Sequence, residues 1–175
     1  MMPFVREATT TTPDGRTLAY VERGVEDGLP VFALHGTPGS RFVQLTDSGL
    51  YERYGVRWIG YDRPGYGRSD PHPGRTVADA AADFEVIADE LGFERFAVVG
   101  GSGGAPHVLA CGALLGDRVT RVGALVTPAP SDSPDFDFFD GLADLNVKEF
   151  NAALEGKDAI DAFIEPYVDG IRSDP

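Results

Sequence analysis

Gly100-Gly101-Ser102-Gly103-Gly104 is the segment of this chain whose residue types and spacing best suit chemistry. It reads G-x-S-x-G, it follows the apolar run Phe96–Val99, and a small-residue stretch with helical character comes after it. A serine on so tight a strand-to-helix turn sits in a strained backbone conformation with its hydroxyl at the top of the turn. Small residues two positions before and after it relieve the crowding. The N-terminus of the next helix aims free N–H groups, and a partial positive charge, at any negative charge that develops there. The pattern therefore points to Ser102 as a nucleophile. Two phosphate-binding patterns fail: G-x-x-x-x-G-K-[ST] needs a lysine and none is near, and G-x-G-x-x-G needs glycine where Pro106 stands. A glycine-rich turn that only packs a helix on a strand is the competing structural reading.

A second loop, His35-Gly36-Thr37-Pro38-Gly39, follows another apolar run, Val31–Leu34. Attack of a serine on a carbonyl creates an oxyanion, and backbone N–H donors must already be aimed at it. Gly103, directly after the serine, supplies one donor, and Thr37 in the earlier loop supplies the second. The His35 side chain is expected to bond to the backbone of its own loop rather than to titrate. Cys111 reads as a small core residue, not a nucleophile.

These loops need a scaffold. Glu7–Thr12 and Arg16–Glu22 are β-prone runs joined by the hairpin signal Asp14-Gly15. Val31–Leu34 is a continuous apolar run suited to a strand buried on both faces. The spacing predicts a helix from about Phe42 to Tyr54 stopped by Gly55, then a strand over Val56–Tyr61 that ends in the loop Asp62-Arg63-Pro64-Gly65-Tyr66-Gly67. A helix is predicted over Thr76–Leu91, with Thr76 and Asp79 as a capping box and Val77, Ala81, Phe84, Ala88 and Leu91 as its buried stripe. Phe96–Val99 is a strand, Gly103–Leu115 a helix and Val119–Val126 a strand. Strand and helix in alternation imply parallel pairing with right-handed crossovers, and the opening hairpin makes the sheet mixed. The fold class is α/β, a mixed, mostly parallel sheet with flanking helices.

With 175 residues the chain suits a single domain. Its formal net charge of −13 argues against nucleic acid and against anionic membrane surfaces as partners. One cysteine excludes an internal disulfide framework and any Cys-rich zinc site. The first dozen residues have no signal-peptide character, and no stretch is apolar for the length of a membrane span, so a cytoplasmic protein is expected. Composition shifts near Pro128. Residues 131–175 hold 12 acidic and 3 basic residues, against 16 and 12 before them. Phenylalanines are interleaved with these acids, a pattern of short amphipathic helices rather than a disordered tail. No cofactor and no metal are implied.

Three segments together carry a resemblance: His35-Gly36-Thr37-Pro38-Gly39, Asp62-Arg63-Pro64-Gly65-Tyr66-Gly67-Arg68-Ser69, and Val99-Gly100-Gly101-Ser102-Gly103-Gly104. In order and spacing the sequence from Glu7 to about Pro130 resembles the N-terminal portion of an α/β-hydrolase fold protein, and is similar to serine esterases, lipase-like hydrolases and prolyl-iminopeptidase-like members. The resemblance implies an incomplete hydrolase core over residues 1–130 and the start of a helical cap over 131–175. It implies a small-molecule ester or amide substrate and catalysis through an acyl-enzyme. Relatives with epoxide hydrolase or haloalkane dehalogenase activity carry Asp where this chain has Ser102, which disfavours those chemistries. In such a cap Phe136, Phe138 and Phe139 either form the buried helix faces or line the acyl pocket.

One part of the family pattern is missing. Its triad runs Ser, Asp or Glu, then His. The histidines here are His35, His72 and His107, and none follows Ser102 by more than five residues. Asp132 stands where some members place the acid, and reads first as a solvated residue at the start of the cap. Without a base the serine hydroxyl is a weak nucleophile, and loss of a triad member leaves about 10³–10⁴-fold catalysis over water. The chain alone is therefore expected to be inactive, and to act as a hydrolase when a histidine reaches it from outside. The alternative is a truncated, non-catalytic protein that binds ligands or partners. Val119–Val126 is expected to be an open sheet edge, a site for self-association or for a partner chain.

Overall fold

The structure, a computed structural model, describes residues 4–173. The chain divides into two compact units, one ending at Pro128 and one beginning at Ala129.

The first unit is built on one six-stranded sheet. Its strands are β1 (Phe4–Thr11), β2 (Thr17–Gly24), β3 (Leu29–Leu34), β4 (Val56–Tyr61), β5 (Phe96–Gly101) and β6 (Val119–Leu125). They lie in the order β1-β2-β4-β3-β5-β6. The Asp14-Gly15 turn makes β1 and β2 an antiparallel hairpin, with Thr11 opposite Thr17. β2 pairs antiparallel with β4, and from β4 across β3 and β5 to β6 every pairing is parallel. The sheet is mixed and mostly parallel, with flanking helices. Register decides where the loops meet. Leu34 pairs with Tyr61 on one side and Gly100 on the other, so the segments starting at His35, Asp62 and Ser102 leave the sheet at the same end of the strands.

Between the sheet and helices α2 (Ala80–Glu90) and α3 (Ala105–Leu114) lies the main core. Phe32, Phe84, Phe96 and Tyr61 meet there edge-on or stacked, with Leu18, Ile59, Ile87, Val98 and Val108 fully buried around them. Each such side chain contributes about 1.5–3 kcal/mol by leaving water, and the aromatic pairs add about 0.5–1.5 kcal/mol each. A smaller cluster of Ala33, Tyr51 and Trp58 fills the opposite face. β6, on the sheet's edge, has no buried residue, with Val122 41% and Leu125 59% exposed.

Two predicted helices are shorter than expected. Only Gly49–Tyr54 (α1) is helical in the segment 42–54. Residues 41–45 find side-chain partners instead of helical ones. Arg41 N–H donates to Asp62 Oδ1 (2.6 Å), Trp58 Nε1–H to the Val43 carbonyl (2.9 Å), and Leu45 N–H to the Tyr51 hydroxyl (2.9 Å). The chain at Arg41 passes so close to β4 that a β-carbon on Gly60 would collide with the Arg41 carbonyl. The helix predicted from Thr76 begins at Ala80. Asp79 accepts from Thr76 N–H (2.6 Å) and from the Thr76 hydroxyl (2.8 Å), which completes half of a capping box; among the described residues no first-turn N–H donates to that hydroxyl. Val77, lying before the helix, is 42% exposed and not part of the buried stripe, whereas Ala81, Phe84 and Ala88 are.

The second unit holds α4 (Asp144–Glu155) and α5 (Lys157–Ser173), which pack on each other. Phe138 meets Phe139 and Phe150 edge-on, at 5.2 and 5.0 Å between ring centres. Phe136 is exposed, as is Asp132. No described helix is long and apolar enough to cross a membrane.

Candidate active site

Ser102 stands at the end of β5, as the first residue of a single 3-10 turn, Ser102–Gly104, that runs into α3. Its φ is 49°, in the left-handed region, which costs a non-glycine residue about 1–3 kcal/mol. Ser102 is exposed, and among the described residues its hydroxyl has no hydrogen-bond partner. The flanking glycines are steric requirements. A β-carbon on Gly100 would lie 2.6 Å from the Gly104 carbonyl oxygen, and one on Gly104 would collide with the Leu34 carbonyl. The turn is therefore pressed against the end of β3, which brings the two loops singled out in the sequence together. A β-carbon on Gly36 would lie 3.2 Å from Ser102 Cβ, and one on Gly103 would lie 3.1 Å from Thr37 Oγ1 and 3.6 Å from Thr37 N. Ser102, Gly103 and Thr37 thus share one small region.

His35 is buried and bonded at both ring nitrogens. Its Nε2 accepts from Arg63 N–H (3.2 Å), so the proton sits on Nδ1, which donates to the Gly36 carbonyl (2.8 Å). Burial lowers its pKa, and the Arg63 cation adds to that. His35 is a neutral prop for its own loop. His107 is also buried, in the first turn of α3, and its Nδ1 bonds the Gly103 carbonyl at 3.0 Å. Burial, reinforced by Arg63, drops its pKa to about 4. Neither ring bonds Ser102. His72 lies in the Pro71–Pro73 loop that leads toward α2, and its Nδ1 is buried without a partner among the described residues. Cys111 is fully buried in the core, and burial raises its thiol to about 12.

The loop after β4 organises this region in a way the sequence did not reveal. Asp62, fully buried, accepts from Arg41 N–H, from Arg41 Nη1 (2.8 Å) and from Arg68 N–H (2.9 Å). Gly67, with φ of 51°, leaves room for that carboxylate, since a β-carbon there would overlap it. Arg63 reaches the other way. Its Nη2 donates to the Gly36 carbonyl (2.8 Å) and to Thr37 Oγ1 (2.7 Å). The Tyr66 hydroxyl lies 3.2 Å from Thr37 Oγ1, and its ring meets His35 edge-on at 4.8 Å. The visible signal was the density of charge and glycine in Asp62–Ser69. The partners in the earlier loop lie 21 to 29 positions away and leave no local trace.

A family model described as alpha/beta hydrolase fold matches residues 30–154. A non-heme chloroperoxidase of Streptomyces lividans is 36% identical over 101 residues, 57% of this chain and 37% of that protein. A proline iminopeptidase of Xanthomonas citri is 33% identical over 112 residues, 60% of this chain and 34% of its own length. Among solved structures, an epoxide hydrolase superposes with a TM-score of 0.74 over 92% of this chain and 56% of its own, at 23% identity, a likeness of fold alone. The chain thus spans little more than a third of the length of these two curated relatives.

Proposed function

The chain belongs to the α/β-hydrolase fold family, and we propose that it is the nucleophile-bearing part of a serine hydrolase that acts on ester or amide carbonyls. The observation that carries this reading is the exposed Ser102 at φ 49°, beside Gly103 and across from Thr37. In the proposed reaction Ser102 Oγ bonds to the carbonyl carbon and the carbonyl electron pair moves onto oxygen. Gly103 N–H and Thr37 N–H hold that oxyanion. The bond to the leaving alcohol or amine then breaks as the serine proton is delivered to it, and water releases the acyl group. Relatives named proline iminopeptidase support an acyl substrate. A serine in place of an aspartate at the turn favours acyl transfer over epoxide opening.

The proton must travel through a base. His35 and His107 each hold a backbone carbonyl through Nδ1, and neither bonds the serine. We place the triad histidine on polypeptide outside residues 1–175. The free edge of β6 is where a further parallel strand of that polypeptide pairs. The relatives' greater length supports this. The one buried cysteine suits a reducing, cytoplasmic compartment.

A fluorophosphonate probe tests the assignment, with added imidazole standing in for the missing base. Phosphonylation mapped to Ser102, accelerated by imidazole and abolished in Ser102→Ala, is the expected result. Labelling that is undiminished in Ser102→Ala would overturn it. No labelling at all favours the second reading, a non-catalytic ligand- or partner-binding protein, which the unpartnered Ser102 hydroxyl also fits.

A further inference from the structure

We infer that Arg63 is a positioning residue of this site, which aims the Thr37 N–H toward Gly103 by holding the Gly36 carbonyl. The inference rests on the serine-hydrolase reading above for its catalytic consequence, but not for its geometry.

One peptide plane sets the direction of the Thr37 N–H. The Gly36–Thr37 bond is trans, since the cis bond of this loop is Thr37–Pro38. In a trans peptide the carbonyl and the following N–H point in opposite directions from a rigid plane. Whatever holds the Gly36 oxygen therefore directs the Thr37 hydrogen. Two donors hold it, Arg63 Nη2 and His35 Nδ1, each at 2.8 Å. Both lie on the side of the 62–66 loop. The Thr37 nitrogen lies 3.6 Å from where a β-carbon on Gly103 would be.

The same Arg63 nitrogen also donates to Thr37 Oγ1 at 2.7 Å, so one guanidinium bridges the carbonyl before the plane and the side chain after it. The bridge is rigid. Arg63 is only 4% exposed, and its guanidinium lies 4.6 Å from the centre of the Tyr66 ring. Tyr66 in turn reaches Thr37 Oγ1. A lysine keeps a cation here but lacks the planar fork and the stacking face.

Arg63 also keeps its charge un-neutralised. Its neighbour Asp62 is taken by Arg41 and the Arg68 amide, and no carboxylate pairs with Arg63 among the described residues. Its Nε is buried without a partner among them as well. Burial lowers the Arg63 pKa, yet a guanidinium remains protonated across the working range. The loop that would hold an oxyanion is thus backed by a fixed positive charge.

The test compares the wild-type chain with Arg63→Met, Arg63→Lys and Ser102→Ala. Residual dipolar couplings of the Thr37 N–H read its direction without any reaction. Saturation kinetics of a fluorophosphonate, with imidazole present, separate binding from bond formation. In Arg63→Met the Thr37 coupling is expected to change while those of β3–β5 stay put. The maximal rate of Ser102 phosphonylation is expected to fall about 10- to 100-fold, with half-saturation changed less than about twofold, since an intact oxyanion donor is worth about 10²–10³ in rate. Arg63→Lys restores part of the rate, and decides the matter if Arg63→Met fails to fold. An unchanged Thr37 coupling overturns the inference, as does a full maximal rate despite a changed coupling. Wild-type protein that labels no better than Ser102→Ala overturns the serine-hydrolase reading instead, and the coupling still decides whether Arg63 aims Thr37.

Discussion

Arg41 and Asp62 are joined twice, from the Arg41 backbone N–H to Oδ1 at 2.6 Å and from Nη1 to Oδ2 at 2.8 Å. The pair ties the loop after β3 to the loop after β4, and Arg41 carries the link on to Glu7 in β1 at 2.8 Å. Both residues are buried, so each depends on the other for its charge to be tolerated. Asp62→Ala leaves the arginine only the half-exposed Glu7 as a partner and frees two amides. The expected loss is about 3–5 kcal/mol of unfolding free energy, the usual cost of removing one partner of a buried pair. Urea denaturation measures it, and a loss under about 1 kcal/mol would show that the clamp is dispensable.

Gly104 and Gly101 differ in what a methyl group would meet. On Gly104 it collides with the Leu34 carbonyl, and on Gly101 it meets nothing within 4 Å. Gly104→Ala should therefore destabilise by about 1–3 kcal/mol or more, because backbone gives way less readily than a side chain. Gly101→Ala, at φ −115°, should cost under about 1 kcal/mol. Thermal unfolding of the two variants decides it, and equal melting temperatures would contradict the packing of the turn on β3.

Stability should fall between neutral and mildly acid pH, with His107 as one source. Its folded pKa of about 4 lies below the ordinary 6.5, because burial opposes the charged ring. The unfolded chain therefore binds the proton first as pH falls. The contribution is complete above about 6.5, declines from there, and is gone below about 4. A difference of about 2.5 pH units corresponds to roughly 3–4 kcal/mol at most. Asp83, whose pKa burial raises, works in the opposite direction at the acid end. Urea unfolding at pH 7.5 and 5.0 should show a smaller difference in His107→Gln than in the wild type. Equal differences would remove His107 from the account.

Cys111 should be inert in the folded protein. It is fully buried, and its thiol is raised to about 12, so almost no thiolate exists at neutral pH. Ellman's reagent should find no reactive thiol in buffer and one in denaturing urea. Rapid reaction in buffer would mean that α3 opens readily from the sheet.

Much of this protein is legible in its residues because the relevant physics is local. Asp14-Gly15 makes a hairpin turn wherever two β-prone runs flank it. Val31–Leu34 and Phe96–Val99 are too apolar to face water on either side. Ser102 between paired glycines, at the end of one such run, marks the tight turn that the structure has. What lay beyond the sequence concerns partners. The helix expected over 42–54 yields to side chains of Asp62, Trp58 and Tyr51 that offer its backbone better bonds. Val77 keeps the helical spacing but lies before the helix begins. The proton of His35 is settled by the Arg63 amide, 28 positions away. The bonds at 41–45 and at His35 depend on β3 and β4 lying side by side, a placement that no neighbouring residue encodes. Propensity acts along the chain, whereas the bonds that orient Thr37, His35 and Asp62 act across it and exist only once the sheet has assembled.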